Sequence, residues 1–314
     1  MTPPALTPPA LPTPAPAFEP LPRQGYFLLA SLALFWGTNW PAMKLAVADM
    51  DPWTFRAICF VAGAGGLMLV ARVQGLSLKI PREDLKPLIV TAFVNVTCWQ
   101  VFSAFGLTMM AAGRASIIAF TMPLWASILG VFFLKERMTP SRVVGLALGL
   151  LALVILLAPE FGRLGGAPWG AAMMLAAAMS WAAGTVMLKA IRWRMDALRL
   201  AAWQLAIGGL PVVAGSLFLG RPESVFDLTT PGALGAIYAA LIPMIYCHWA
   251  WFKIVELFPA SVAAIGTLAI PVVGLFSSAL VLGEPLGAAD LVALALVVTS
   301  LFVVMVLPSL MARR

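Results

Sequence analysis

Apolar residues form runs of about 20 along almost the whole chain, and short segments with charges, prolines or glycines separate them. A helix needs roughly 20 apolar residues to cross the hydrocarbon of a bilayer. Breaking the chain at the short segments predicts ten membrane-spanning helices. The predicted spans are 26–48, 53–72, 86–108, 113–133, 141–158, 168–190, 199–219, 232–253, 260–282 and 288–308. Because the loops between them are short, the predicted fold class is an all-α integral membrane protein without a sizeable soluble domain.

The composition agrees with a membrane protein, because 62% of the residues are hydrophobic and only 11% are charged. A soluble domain carries about a quarter charged residues. The net charge of +7 follows the predicted loops: with the N-terminus in the cytoplasm, 15 Lys and Arg residues fall on the inner side and 5 on the outer side. This is the positive-inside pattern. It predicts both termini in the cytoplasm and contact with anionic lipid heads, rather than a nucleic-acid partner.

The two ends of the chain are predicted to be tails outside the membrane. Nine of the first 22 residues are prolines, which predicts a disordered cytoplasmic tail over residues 1–25. Residues 309–314 form a short basic cytoplasmic tail. The three cysteines are scattered within apolar runs, so we expect small buried side chains rather than a disulfide framework. With a single histidine as well, the sequence predicts no metal site and no cofactor.

Two stretches of the first half match the second half in the same order, at offsets that differ by three residues. FTMPLWASILGVFFLKERM (120–138) aligns with LAIPVVGLFSSALVLGEPL (268–286) at an offset of 148, and the first helices align at an offset of 145. The aligned pairs include Pro123 and Pro271, Glu136 and Glu284, Gln100 and His248, Trp36 and Trp181, Lys44 and Lys189, and Asp51 and Asp196. Five spans per half predict a 5+5 inverted-topology repeat, residues 26–160 and 161–308. Such repeats are typical of secondary transporters with a substrate site near the midplane.

Several stretches in order resemble one known family. They are FWGTNWPAMK (35–44), DPWTFR (51–56), a P-x12-E-R-M pattern (123–138) followed by Gly145 and Gly149, and LGEPL (282–286). Together they resemble the EamA family of the drug/metabolite transporter superfamily, and within it the bacterial amino-acid exporters, including aromatic amino-acid exporters. The resemblance covers 26–308. It implies ten helices around a central cavity lined mainly by helices 1, 3, 4, 6, 8 and 9, in the inner membrane of a bacterium, and outward transport.

Tryptophans and uncharged polar groups near the middles of the spans are the candidates for lining this cavity. Tryptophan prefers membrane interfaces, so Trp36 and Trp181 at mid-depth indicate protein packing or a cavity rather than lipid. Residues four apart share a helix face, which groups Asn95, Trp99 and Ser103 on one stripe. The cavity candidates are Trp36, Asn39, Trp40, Asn95, Trp99, Gln100, Trp181, Thr185 and His248. For His248 the alternative is a hydrogen bond between helices.

The charged residues and prolines within the spans can each be interpreted as structural or as functional. Lys44 and Arg56 lie about one turn from helix ends, so we expect them to snorkel to the interface. Glu136 and Glu284 are expected to make helix-end contacts. A proline in mid-helix removes a backbone hydrogen bond. The prolines, Pro123 and Pro271, are therefore either static kinks or paired hinges that open the cavity to opposite sides.

These observations favour an alternating-access exporter of small amphipathic metabolites, above all amino acids with aromatic or large apolar side chains. The spans carry no deep carboxylate of the kind that coupled carriers often use, which favours a facilitative mechanism. A proton-coupled exporter of another metabolite or drug is the alternative. A membrane-embedded lipid-modifying enzyme would need a catalytic set, and the sequence has no HExxH, no GxSxG and no paired intramembrane aspartates. The expected assembly is a monomer or weak homodimer.

Overall fold

The computed structural model describes residues 23–135, 139–161, 169–257 and 260–307, and within these ranges the backbone is helical apart from short loops. Each predicted span overlaps a helix whose ends differ from the prediction by a few residues. In chain order the helices are α1 (Arg23–Asp49), α2 (Pro52–Val73), α3 (Arg82–Met109), α4 (Ala112–Phe133), α5 (Pro140–Phe161), α6 (Trp169–Ala190), α7 (Ala197–Phe218), α8 (Thr230–Leu257), α9 (Ala260–Leu282) and α10 (Ala288–Val306). The predicted C-terminal tail and residues 1–22 of the N-terminal tail lie outside the described residues.

The apolar helices have the length that a membrane requires. Among the described residues, α2, α3, α4, α6, α7 and the Thr230–Trp251 part of α8 are each long and apolar enough to cross it. Shorter apolar stretches occur in α5, α9 and α10, and α1 has 27 residues. The chain is therefore a multi-pass membrane protein.

Four helices depart from regular α-helical geometry. π-Helical segments interrupt α3 at Ala92–Cys98 and α8 at Ile242–Cys247, and α10 ends in a third, Phe302–Val306. The helix α4 is divided into Ala112–Ala119 and Met122–Phe133. A π-helical turn accommodates one extra residue and is frequent at functional sites. The segments in α3 and α8 occupy nearly equivalent positions of the two halves at the offset of 148.

Most helix pairs keep their partners when the two halves are exchanged. The helix α1 packs against α8 and α9, and α6 packs in the same way against α3 and α4. Three further contacts join a helix to its own equivalent, α2 to α7, α4 to α9 and α5 to α10, and two more, α2 with α8 and α7 with α3, correspond to each other. The helices α1 and α6 therefore each pack against two helices of the opposite half.

Acidic side chains hold several helix starts. The Asp51 carboxylate accepts hydrogen bonds from the backbone N–H groups of Trp53 and Thr54 at 3.0 and 3.2 Å, and thus caps α2. Its equivalent Asp196 caps α7 by accepting from the backbone N–H of Arg199 at 2.9 Å. Burial alone would raise the pKa of Asp51, but hydrogen bonds outweigh it and the pKa lies below its usual value. These caps satisfy N–H groups that have no partner within the helix.

The glycines of helix α5 allow close packing within the chain. A Cβ atom on Gly145 would collide with Val304 of α10, and one on Gly149 would collide with Leu124 of α4. The Ser300 hydroxyl donates to the Gly145 carbonyl at 2.6 Å. Small residues at four-residue spacing therefore bring the backbones of α5 and α10 together, as is common in membranes.

Candidate functional site

The candidate residues of α3 and α6 form one compact cluster. The rings of Trp99 and Trp181 lie 5.2 Å apart, centroid to centroid, at an interplanar angle of 60°. The Asn95 side chain donates from Nδ2 to the Trp181 carbonyl at 3.1 Å. Gly184 lies directly against Asn95, so that a Cβ atom there would overlap the asparagine side chain. The Thr185 hydroxyl donates to the same Trp181 carbonyl at 2.9 Å. We call these five residues the α3/α6 cluster.

A second cluster joins α1 and α8 at the equivalent place. The Trp36 ring meets the His248 ring edge to face, with centroids 6.0 Å apart, and lies 6.1 Å from Trp251. His248 Nδ1 is 2.8 Å from the carbonyl oxygen of Pro243 in its own helix. The π-helical segment places this carbonyl within reach five residues back. The alternative of a hydrogen bond between helices is not among the described contacts of His248, whose ring meets α1 through aromatic contact.

The remaining candidates of α1 are placed differently. Trp40 is 4% exposed, and its ring packs against Gly274 of α9. Asn39 is half-buried, and its side-chain carbonyl oxygen is buried without a hydrogen-bond partner among the described residues. An unpaired buried acceptor is costly. Asn39 therefore offers an acceptor at the level of the α1/α8 contact.

The predicted stripe of Asn95, Trp99 and Ser103 is wrong in part. Asn95 and Trp99 face α6, whereas Ser103 accepts a hydrogen bond from Arg56 of α2 at 2.8 Å. Gln100 lies between α2 and α8. Its backbone carbonyl oxygen accepts a hydrogen bond from Arg56 Nε at 2.9 Å, and its side-chain Nε2 donates to the sulfur of Met244 at 3.6 Å. The π-helical segment explains the split, because the extra residue rotates the faces that follow it.

The expectation that Arg56 snorkels is also wrong. Arg56 is 3% exposed, and its guanidinium reaches across to α3 instead of towards the membrane surface. The salt bridges within the described ranges do not include it. One backbone carbonyl and one hydroxyl thus hold this buried cation. Arg56 aligns with Ala201 in the second half, so the contact has no counterpart there.

Lys44 is held by protein rather than extended towards the interface. Its ammonium donates to the carbonyl oxygens of Leu107 at 2.6 Å and Met110 at 2.9 Å, at the end of α3. The side chain is half-buried. A cation suits this position because the C-terminal end of a helix carries partial negative charge.

The two prolines have different surroundings. Pro123 lies in the first turn after the break at Phe120 and Thr121, whereas α9 runs through Pro271 as one helix. Proline fits the first turn of a helix because its missing N–H has no partner there. Pro123 is therefore at a discontinuity of the backbone, and Pro271 is the proline inside a continuous helix. Glu136, the other predicted helix-end residue of this half, lies outside the described residues.

An apolar groove of about 300 Å³ lies elsewhere, between α2 and α8. Its walls are Val70, Leu241, Ile245, Tyr246 and Trp249. None of the nine cavity candidates is among these residues. Within the described ranges no three His, Cys, Asp or Glu side chains lie close enough together to hold a metal ion.

Sequence reasoning missed the hydroxyl contacts between α1 and α8. Thr38 and Tyr238 approach to 2.6 Å, and Ser31 and Tyr246 to 2.7 Å, between their hydroxyl oxygens. A signal was present: the two α1 residues are seven apart, the two tyrosines eight apart, and both spacings keep one helix face. The π-helical segments had a weaker signal in the proline of IPMIYC, which lacks a backbone donor.

One family model matches most of the chain, and curated relatives of this chain are named as transporters. The sequence matches the EamA-like transporter family over residues 23–158 and again over 168–306. It is 32% identical over 279 residues to the uncharacterized transporter YvbV of Bacillus subtilis (strain 168), a match that covers 88% of this chain and 90% of that protein. It is 28% identical over 292 residues to a probable amino-acid metabolite efflux pump of Salmonella typhimurium, covering 90% and 94%.

A solved structure shares the fold. This crystal structure matches with a TM-score of 0.63 over 90% of the present chain and 95% of its own. The sequence identity is 22%, so the likeness concerns the fold alone.

Proposed function

Because the chain belongs to the EamA-like transporter family, we propose that this multi-pass membrane transporter exports small amphipathic metabolites, above all amino acids with aromatic or large apolar side chains. The observation that carries the proposal is the equivalent placement of Trp36 and Trp181 in the two halves. Each lies near the middle of its helix and meets an aromatic ring of the opposite half, His248 or Trp99. Aromatic walls with a few amide and hydroxyl groups suit an apolar side chain beside a zwitterion.

Alternating access of two five-helix repeats is the proposed mechanism. The exchange of the two halves keeps most helix pairs, which supports the idea that equivalent contacts can open and close on either side. The family match in two consecutive segments supports the same division, residues 26–160 and 161–308. The Lys and Arg distribution supports ten spans in the inner membrane with both termini in the cytoplasm.

The amino-acid assignment draws on relatives as well as on the site. A relative in Salmonella typhimurium is named as a probable amino-acid metabolite efflux pump. In this chain, the α3/α6 cluster offers the Asn95 amide and the Thr185 hydroxyl beside two indole rings, and Asn39 offers a free acceptor. These groups can bind an ammonium or a carboxylate while the rings bind the side chain.

Flux through liposomes tests this function. The purified full chain, reconstituted and supplied with labelled phenylalanine, tryptophan, leucine and glutamate, should move the apolar amino acids faster than glutamate. Trp36→Ala and Trp181→Ala should each reduce flux several-fold. Trp169→Ala is the matched control, because this indole is 62% exposed at the start of α6. Absence of flux for every amino acid would overturn the substrate class.

A pH-sensitive dye inside the same liposomes separates facilitative from proton-coupled transport. The facilitative mechanism predicts that amino-acid flux leaves the internal pH unchanged. A proton current that depends on substrate would refute it and favour a coupled exporter of another metabolite or drug.

A further inference from the structure

Helix α1 uses two of its faces to pack against neighbouring helices. Ser31 and Thr38 lie on one face, and their hydroxyl groups meet tyrosines of α8. Gly37 and Trp40 lie on a second face and pack against α9. At about 100° per residue, Asn39 belongs to neither of these and lies on a third face of the helix.

The third face of α1 points into the protein rather than towards lipid. Trp36, one turn before Asn39, shares this face, and its ring meets the His248 ring of α8. Phe27 is 68% exposed and lies nine residues before Trp36, which places it on the opposite side of the helix. Trp36 and Asn39 are half-buried, whereas Met43 in the next turn is only 4% exposed. Access along this face therefore ends at Asn39.

Asn39 presents a hydrogen-bond acceptor at this place. Its Oδ1 atom is buried and has no partner among the described residues. A buried acceptor without a donor costs stability, so its presence requires an explanation. A carboxylate has no hydrogen to donate, whereas an ammonium group has three. The acceptor therefore suits the ammonium end of an amino acid and opposes the carboxylate end.

The second half has a different residue at the equivalent position. Asn39 aligns with Gly184 at the offset of 145. A Cβ atom on Gly184 would overlap Asn95, so this position of α6 has no room for a side chain. The Asn95 amide in turn donates from Nδ2 to the Trp181 carbonyl. The two halves thus differ in hydrogen bonding at the level of their equivalent tryptophans.

We propose that Asn39 binds the ammonium group of the substrate through Oδ1, and thereby orients the amino acid against α1. The proposal rests on the amino-acid export proposed above. It adds which end of the substrate binds to α1, and it assigns this role to one half of the repeat. The Trp36 ring, one turn away on the same face, offers an apolar surface for the side chain of the same substrate.

Two analogues of phenylalanine separate its charged ends. Phenethylamine keeps the ammonium group and lacks the carboxylate, and phenylpropionate keeps the carboxylate and lacks the ammonium group. Each is added to the purified full chain in detergent, and the rise in melting temperature with ligand concentration gives its affinity. Competition with labelled phenylalanine in liposomes gives a second measure. The unmodified protein should bind phenethylamine more tightly than phenylpropionate.

The decisive variant is Asn39→Leu, which removes the acceptor and nearly keeps the size of the side chain. It should weaken phenethylamine binding about tenfold, the effect of one hydrogen bond to a charged group, and leave phenylpropionate binding unchanged. Asn39→Asp keeps an acceptor oxygen and should bind phenethylamine at least as tightly as the unmodified protein. Thr38→Val is the matched control, because it removes a hydroxyl contact with α8 and should leave the ratio of the two affinities unchanged.

The ligand-free protein gives an independent readout. Because Oδ1 is buried without a partner, Asn39→Leu should raise the melting temperature of the ligand-free protein by about 2–4 °C. The same variant should lose most of the stabilisation by phenethylamine. An asparagine that only holds helices together would give the opposite result, and a fall in the ligand-free melting temperature would overturn the assignment.

The affinities separate this proposal from the proposed export. If Asn39→Leu leaves phenethylamine binding unchanged, or weakens both analogues equally, the ammonium site is wrong, and continued amino-acid flux would leave the exported class standing. If phenethylamine binding depends on Asn39 in a protein that moves no amino acid, the ammonium site stands and the exported class is wrong. If neither analogue binds and no amino acid moves, both proposals are overturned.

Discussion

Replacing Gly184 by alanine tests whether the α3/α6 contact needs a residue without a side chain. A Cβ atom built on Gly184 overlaps Cβ and Nδ2 of Asn95 and lies 2.6 Å from its Cα. A new rotamer of Asn95 relieves the overlap with Nδ2 but not the overlap with the Cβ and backbone atoms. The substitution therefore forces α3 and α6 apart, at the place where Asn95 binds the Trp181 carbonyl.

The expected loss of stability follows from three contributions. Overpacking of a close contact costs about 1–3 kcal/mol, and loss of the Asn95 hydrogen bond costs about 1 kcal/mol more. Alanine is favoured over glycine inside a helix by about 1 kcal/mol. The net change is a destabilisation of about 1–3 kcal/mol. Gly65→Ala is the matched control, because no atom lies within 4 Å of a Cβ at that position of α2.

Thermal unfolding of the purified full chain in one detergent provides the assay. Gly65→Ala gains only the helix preference, so the two variants should differ by about 2–4 kcal/mol in the free energy of unfolding. For a chain of this length 1 kcal/mol corresponds to about 1.5 °C, so their melting temperatures should differ by about 3–6 °C. Equal melting temperatures for the two variants would refute the reasoning, and with it the close approach of α3 and α6.

Three further predictions use the same unfolding assay. Glu284→Gln should lower the melting temperature, because the backbone N–H groups of Ala112 and Gly113, which donate to its carboxylate at the start of α4, lose a charged acceptor worth about 1–2 kcal/mol; the exposed Glu223→Gln should not. The pKa of Asp51 is lowered in the folded state, because hydrogen bonds to its carboxylate outweigh the effect of burial. Its contribution to stability is therefore complete above the unfolded pKa of about 3.9 and lost as the pH falls below it, so Asp51→Asn should flatten the decline in melting temperature between about pH 5 and 3. Arg56→Lys should destabilise by more than Arg72→Lys, because a lysine cannot reach both acceptors of the buried guanidinium; an equal effect of the two would contradict this assignment.

The sequence predicts the helices well because membrane helices are specified by run length. Residues such as Asp51 and Asp196 end one span and cap the next, and the charged segments mark the loops to within a few residues. The equivalent Trp36 and Trp181 were found from the repeat and from their positions near the middles of their spans, and the structure places each beside a ring of the opposite half. Local composition and internal symmetry were sufficient for this part.

What the sequence did not predict depends on geometry that no local pattern encodes. The predicted direction of the Arg56 side chain was wrong. A side chain one turn from a helix end can extend towards the membrane surface or towards a neighbouring helix, and only the position of α3 decides between the two. The stripe through Asn95 and Ser103 was wrong because a regular helix was assumed where a π-helical segment occurs. The role of Lys44 needed the end of α3, which is 63 residues away in sequence.

The π-helical segments at Ala92–Cys98 and Ile242–Cys247 also mark where the length of these helices can change. Because such a segment holds one residue more than a regular helix, deletion of a residue there can restore the regular helix without breaking it. The faces of the helix beyond the deletion would keep their directions, whereas a deletion in a regular part of the helix would turn them by about 100°. Gln100 and His248 would therefore still face their neighbouring helices. In α3 and α8, the loss of one residue is absorbed best at these two segments.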